Sequence, residues 1–347
     1  MQIDPEKPLF PSELFKLLTL MFPLRMPVLV TGKPGQGKTD IVSQAAAACG
    51  AKLIMSHPVV DEPIDYKGMP AIIEDETGHK AATFLPFGNL KALINTDGPV
   101  VYFMDDLGQA PKSVQAAAMQ LLLARKINGH RVSDDVTFVA ATNRKEDKAG
   151  VTGILEPVKD RFATIVELEQ SLNDWCVWAL NPAHNIPHEI ISFIRYRPQY
   201  LTAFEPTPGM TKTPTPRTIA NVGHMIRAGI PKELELRVFN GAAGKEFAIE
   251  LTGFLRIYRD LPDPDVVLMN PKAADIPQEK SSLYALCGAL SARATENNME
   301  RFVTYIERLP EEFNVLSMRD AVARNKNELA KTQAFAQWVV NHQDALC

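Results

Sequence analysis

The chain has little cysteine, and what it has is scattered. Four cysteines in 347 residues stand at Cys49, Cys176, Cys287 and Cys347. None forms a Cys-x-x-Cys pair, so neither a zinc ribbon nor a disulfide framework is expected. Reduced thiols in the cytoplasm are the simple expectation. A long apolar run is also missing. No stretch reaches the ~18 residues a membrane helix needs, and the first residues lack the apolar core of a leader. Export and membrane anchoring are therefore not expected. Charge of one sign is missing too. The net charge of −4 gives no global pull toward nucleic acid or an anionic membrane, although local basic patches remain open. Internal repeats and low-complexity tracts are absent. What remains is an ordinary globular composition, 46% apolar and 22% charged. At ~150 residues per domain, that length allows two or three units.

The first half alternates strand and helix patterns. Pro11 to Phe22 carries apolar residues at helical spacing, and Pro27-Val-Leu-Val-Thr31 reads as a buried strand. A helix is expected over Asp40–Cys49, stopped at Gly50, and a second strand over Lys52–Ser56. Residues 57–99, rich in Pro, Asp, Gly and charge, read as a long irregular insert. Strands are expected again over Val100–Met104, Val136–Ala141 and Ala163–Leu168, with a helix from Pro111 to Ala124. Such alternation predicts an α/β fold with a parallel sheet covered on both faces. Beyond residue 168 helical patterns dominate, broken by the proline-rich stretches 205–216 and 261–277. The expected parts are 1–168, a helical lid over 169–258 and a C-terminal helical extension over 259–347.

Residues 32–39 read Gly32-Lys33-Pro34-Gly35-Gln36-Gly37-Lys38-Thr39, directly after one expected strand and before a helix. This is the GxxxxGK[ST] pattern. Its glycines let backbone N–H groups turn toward phosphates, and the helix N-terminus adds positive potential. Lys38 can reach the β- and γ-phosphates, and the Thr39 hydroxyl can ligate Mg²⁺. A chance glycine-rich turn is the competing reading, and the strand and helix around it argue for ATP.

The strand over Val100–Met104 ends in Asp105-Asp106. Asp105 is placed to hold magnesium and Asp106 to activate the attacking water. An acidic strand-to-loop turn is the alternative. The next strand ends in Asn143, which can bond both phosphate and water, or simply cap a turn. Arg161 lies just before the last strand. It can serve a neighbouring subunit as an arginine finger, or pair within its own domain. Thr215-Pro216-Arg217 opens a helix, and alone Arg217 reads as a solvated first-turn residue. Arg125 to Arg131, around an Asn-Gly turn, reads as a basic hairpin tip, either solvated or facing a substrate.

In this order the elements resemble the AAA+ ATPases, and more narrowly their MoxR-like group. The narrower match rests on Asp105-Asp-Leu-Gly-Gln-Ala-Pro-Lys-Ser-Val-Gln115, Asp65-Tyr-Lys-Gly68, Phe84-Leu-Pro-Phe-Gly-Asn-Leu90 and Leu155-Glu-Pro-Val-Lys-Asp-Arg-Phe162. It covers roughly residues 10–228, and residues beyond about 258 match nothing nameable. Asp106 stands where many such ATPases have Glu, and Gly108-Gln109 where the group often has Asn-Arg. The resemblance implies a P-loop NTPase αβα sandwich with a five-stranded parallel sheet in the order 5-1-4-3-2, followed by the lid. It also implies a homo-oligomeric ring, usually hexameric, with Asn143 as sensor 1, Arg161 as the arginine finger and Arg217 as sensor 2. A partner with a von Willebrand factor A domain and a chaperone-like remodelling role come with it.

The leading expectation is thus an ATP-hydrolysing ring that remodels or matures a protein partner. The alternatives are a scaffold assembled by ATP and hydrolysing slowly, motivated by Asp106, and a nucleic-acid-directed AAA+ ATPase, disfavoured by the acidic balance. A P-loop metabolite kinase is disfavoured by Asn143, Arg161 and Arg217 together.

Overall fold

A computed structural model describes residues 7–74, 77–147, 150–207 and 209–342. It divides the chain into two compact units, Met1–Ser171 and Leu172–Cys347.

The first unit opens with helix α1 (Pro11–Met21), whose Leu14 and Leu18 sit four apart and face the core. Strand β1 (Val28–Thr31) leads to α2 (Lys38–Ala48), and β2 (Lys52–Ser56) follows. The supposed irregular insert is structured. It holds α3 (Pro63–Lys67), the antiparallel hairpin β3 (Met69–Glu74) and β4 (Lys80–Leu85), and α4 (Gly88–Ile94). Short elements with exposed apolar residues, such as Ile72 and Ile73, carry no clean period, which explains why they read as loop. Then come β5 (Val100–Met104), α5 (Lys112–Ala124), the tiny hairpin β6 (Lys126–Ile127) and β7 (His130–Arg131), β8 (Val136–Thr142), α6 (Glu156–Lys159) and β9 (Thr164–Glu167).

The main sheet has the order β2-β5-β8-β1-β9, all neighbours parallel. Numbering only these five strands gives 5-1-4-3-2, the expected order and the P-loop NTPase fold of the AAA+ type. Alternation explains the two layers. Val28, Val30, Val101, Phe103, Val139 and Ala141 pack with α1 and α2 on one face. Leu29, Tyr102, Met104, Phe138 and Ala140 pack with α5 on the other. Each central strand is therefore mostly apolar, because both its faces are buried.

The second unit is helical: α7 (Leu172–Leu180), α8 (His188–Tyr196), α9 (Pro216–Arg227), α10 (Lys232–Ala243), α11 (Lys245–Arg259), α12 (Pro264–Met269), α13 (Lys280–Arg293), α14 (Met299–Ile306), α15 (Glu311–Leu329) and α16 (Gln333–Asn341). Helix α12 lies inside the stretch 261–277 that the prolines mark as a break; Pro264 at its first turn is where proline suits a helix. The expected division at 258/259 falls inside this unit. Helix α13 is the reason, since Ala285 joins the core around α8 and α11 while Leu283, Leu286 and Leu290 join the core around α14 and α15. A Cβ on Gly288 would stand 2.0 Å from Ser192 Oγ, so α8 and α13 approach as only glycine allows. No described helix is long and apolar enough to cross a membrane. Cys49, Cys176 and Cys287 are free thiols, and Cys347 lies outside the described residues.

Arg195 on α8 and Asp320 on α15 form a buried two-pronged ion pair, with Nη2 donating to Oδ1 at 2.6 Å and Nη1 donating to Oδ2. Removing one partner strands a buried charge, whereas replacing both by apolar side chains does not. Asp320→Ala is expected to lower unfolding free energy by about 3–5 kcal/mol. The double variant Arg195→Met/Asp320→Leu should lose far less. Urea unfolding of the two variants decides, and equal losses would show that the charge pairing is irrelevant.

Candidate functional site

The site begins with a backbone problem. The chain must turn sharply between β1 and α2, and Gly35 (φ 73°) and Gly37 (φ 85°) supply left-handed conformations there. Gly37 is also the residue that caps the start of α2. Gly32 is required for a different reason. A Cβ there would lie 2.5 Å from Gln36 Oε1 and 3.0 Å from the Leu168 carbonyl.

Lys38 stands in the first turn of α2 and is 7% exposed. Its ammonium donates to the carbonyls of Gly32 and Lys33, both at 2.9 Å, and to Asn143 Oδ1 at 3.0 Å. Asn143 follows β8 and turns its other amide atom outward. Its Nδ2 donates to Asp106 Oδ1 at 3.1 Å. A second link runs beside this chain, where Thr39 Oγ1 donates to Asp105 Oδ2 at 2.8 Å. Thus the C-terminal edges of β1, β5 and β8 bring together residues 32–39, Asp105, Asp106 and Asn143. This is where open α/β sheets hold ligands.

Asp106 has a left-handed backbone, φ 60° and ψ 34°. Such a conformation costs a non-glycine residue of the order of 1 kcal/mol, and aspartate tolerates it better than most. The turn swings its shorter carboxylate onto Asn143. Gly108 follows, and its lack of a side chain is forced. A Cβ there would fall 2.1 Å from Thr142 Oγ1. The departure from Asn at this position thus belongs to the packing against Thr142.

The site is braced by side chains whose roles the sequence does not announce. Gln115, fully buried, donates to the carbonyls of Ala110 (3.1 Å) and Gly153 (3.0 Å) and accepts from Leu155 N–H at 3.0 Å. Arg144, next to Asn143, spans Asp147 (2.9 Å) and Glu167 (2.8 Å). The Asp147 hydrogen bond, countered in part by burial and reinforced by Glu167, holds this guanidinium above its usual range, so it stays charged. The signal for Gln115 is only its place in the segment after the acidic pair, and that for Arg144 only its adjacency to Asn143.

The remaining expected residues lie elsewhere. Arg161, between α6 and β9, pairs with Asp160, and its buried Nε has no hydrogen-bond partner among the described residues. Arg217 belongs to the second unit. It is exposed in the first turn of α9, behind Thr215, whose hydroxyl caps the helix as expected. Asp65 accepts from Glu62 N–H at 2.8 Å and so caps α3, while Gly68 passes 2.8 Å (as a built Cβ) from the Leu85 carbonyl. The tip of the β6–β7 hairpin is fastened within its unit. Asn128 Nδ2 donates to the Lys67 carbonyl at 2.8 Å, and His130 Nε2 bonds the Phe84 carbonyl at 2.7 Å.

A polar cluster at the end of β2 completes the surroundings. Ser56 Oγ and Tyr66 OH both donate to Asp61 Oδ2, at 2.6 and 2.7 Å. Burial pushes Tyr66 far above the usual phenol range and Tyr102 up to about 12, so both stay neutral.

The donor set fits a nucleotide with a hard divalent cation. Left-handed glycines at a helix N-terminus suit phosphate. A hydroxyl 2.8 Å from a carboxylate suits Mg²⁺, which takes one or two protein oxygens and keeps its waters.

Residues 28–170 match the family model described as ATPase family associated with various cellular activities (AAA). No curated protein matches the chain. Among solved structures, the RuvB Holliday junction branch migration motor of Thermotoga maritima is 15% identical, with 81% of this chain and 80% of that one covered and a TM-score of 0.41. NtrX from Brucella abortus is 11% identical, with 94% and 69% covered and a TM-score of 0.42. A second NtrX structure, in complex with ADP, is 14% identical, with 97% and 68% covered and a TM-score of 0.40.

Gly108→Ala is expected to cost about 1–3 kcal/mol by overpacking against Thr142. Adding Thr142→Ala removes the hydroxyl that the new methyl meets. The double variant should therefore lose less stability than the two single losses added together. Chemical denaturation of all four proteins measures this, and simple additivity would sink the packing account.

Proposed function

We propose that this protein is an ATP hydrolase of the AAA+ type that works as a homo-oligomeric ring. One observation carries the reading: an unbroken hydrogen-bonded line from Lys38 through Asn143 to Asp106, beside the Thr39–Asp105 pair. This arrangement supports reading Lys38 as the phosphate-binding lysine, Asn143 as the polar sensor, Asp106 as the base and Thr39 with Asp105 as the metal-holding pair of P-loop hydrolysis. The family-model match over residues 28–170 supports the same reading.

In this reading residues 32–39 hold the ATP phosphates, with Lys38 on the β- and γ-phosphates. Thr39 and Asp105 hold magnesium, which neutralises charge on the phosphates when bound. Asp106 takes the proton of the attacking water, and Asn143 orients that water. Arg161 serves the site of a neighbouring copy, and Arg217 keeps the sensor 2 role that the resemblance implies. Among the described residues, Arg161 pairs only with Asp160 and its Nε has no partner, which supports that assignment, since an arginine built to brace its own fold has its donors satisfied.

Resemblance to the MoxR-like group extends the proposal to a hexamer that remodels or matures a protein partner in the cytoplasm, with a von Willebrand factor A domain protein as the partner class. Asp106 favours a second reading. Its carboxylate is one methylene shorter than glutamate and is held by Asn143, which suits a scaffold that assembles on ATP and turns over slowly.

ATP turnover measured against protein concentration separates these. In a shared-site ring, turnover per subunit rises with concentration. Asp106→Asn and Arg161→Ala each lower it by about 10²-fold or more, and mixing either with wild type poisons activity. Concentration-independent turnover with a silent Arg161→Ala sinks the shared site. ATP binding and assembly without appreciable turnover makes the scaffold reading the correct one.

A further inference from the structure

The glycines at 35 and 37 let the phosphate loop turn, but they also let it flip. A peptide that leads into such a residue, as Gln36–Gly37 does, can rotate and present a carbonyl oxygen where an N–H is needed. The crest peptide of the loop is Gln36–Gly37, and its carbonyl is fastened. Gln170 Nε2 donates to Gln36 O at 2.7 Å, with both side chains only 8% exposed. The Gln36 side chain lies back over Gly32 toward Leu168, so the segment after β9 meets the loop twice. Gln36 Oε1 is itself buried without a partner among the described residues, so it gives the crest no second tie there.

No described peptide bond is cis. Across a trans peptide the N–H points opposite to the C=O. A Gln36 carbonyl held on Gln170 therefore turns the Gly37 N–H away from Gln170. We infer that Gln170 is a positioning residue for the nucleotide phosphates: its amide fixes the 36–37 peptide so that the Gly37 N–H, and not the Gln36 oxygen, is offered to the ligand. Gln170 stands two residues before Leu172, where the second compact unit begins. The crest of the phosphate loop is thus tied to the chain that leads into that unit. The inference rests on the nucleotide reading of residues 32–39.

Two substitutions at this position test it in the full-length protein. Gln170→Leu removes the donor at similar volume. Gln170→Glu places a carboxylate against the carbonyl at neutral pH and restores a donor when protonated. The probe is a fluorescent N-methylanthraniloyl ADP, titrated by fluorescence, with KM and kcat for ATP measured alongside. Gln170→Leu should weaken ADP binding about tenfold, with KM rising more than kcat falls. Gln170→Glu should be worse at pH 7.5, and its deficit relative to wild type should narrow as pH falls toward about 5. A merely structural side chain would lower the unfolding midpoint without that pH-dependent recovery. Variants that bind ADP within about twofold of wild type overturn the inference. If wild type binds neither ADP nor ATP, the nucleotide reading itself fails and this inference falls with it.

Discussion

Lys38 places a charged nitrogen where water hardly reaches. A buried ammonium survives only if its N–H groups find acceptors, and three are supplied by two loop carbonyls and Asn143. That requirement fixes more than a side chain. The Gly32 and Lys33 carbonyls must curl back over the start of α2, which requires the glycine-rich turn. Asn143 must stand at the edge of β8, which requires β8 to lie beside β1, as the register Thr31 against Thr142 shows. Asp106 must then reach Asn143 from β5, the next strand out. The strand order and the site geometry are one arrangement seen twice.

Much of this was legible in the sequence because the central strands are buried on both faces. Val100–Met104 is a continuous apolar run and Val136–Thr142 is mostly apolar, and each is followed by the polar residues of the candidate site. The glycine-rich turn over residues 32–39 was legible because its pattern is long and its neighbours are a strand and a helix. The same clarity covers α1 and the Thr215–Pro216 start of α9, where cap residues and period agree.

Other parts were hidden for physical reasons. The segment 57–99 makes two short helices and a hairpin with exposed apolar side chains, so no period separates inside from outside. The unity of residues 172–347 depends on α13, which is buried nearly all round and has no amphipathic face to read. Gln170, Gln115 and Gly108 act through contacts 134, 38 to 40 and 34 residues away in the chain. No local pattern marks a glutamine that will meet a distant carbonyl, or a glycine that will face a distant hydroxyl. Arg144 is similar, since adjacency to Asn143 says nothing of Glu167 across the sheet edge.

Gln115 has a mechanical consequence. It bonds Ala110, just past the acidic turn, and also Gly153 and Leu155, the stretch that leads through α6 to Arg161. The Gln115 side chain is fully buried, so pulling the two stretches apart would strand its polar atoms at about 1–3 kcal/mol each. The turn carrying Asp106 and the approach to Arg161 therefore behave as a single stiff strut. A push delivered at one end is transmitted to the other as displacement, because the joint between them is too costly to stretch.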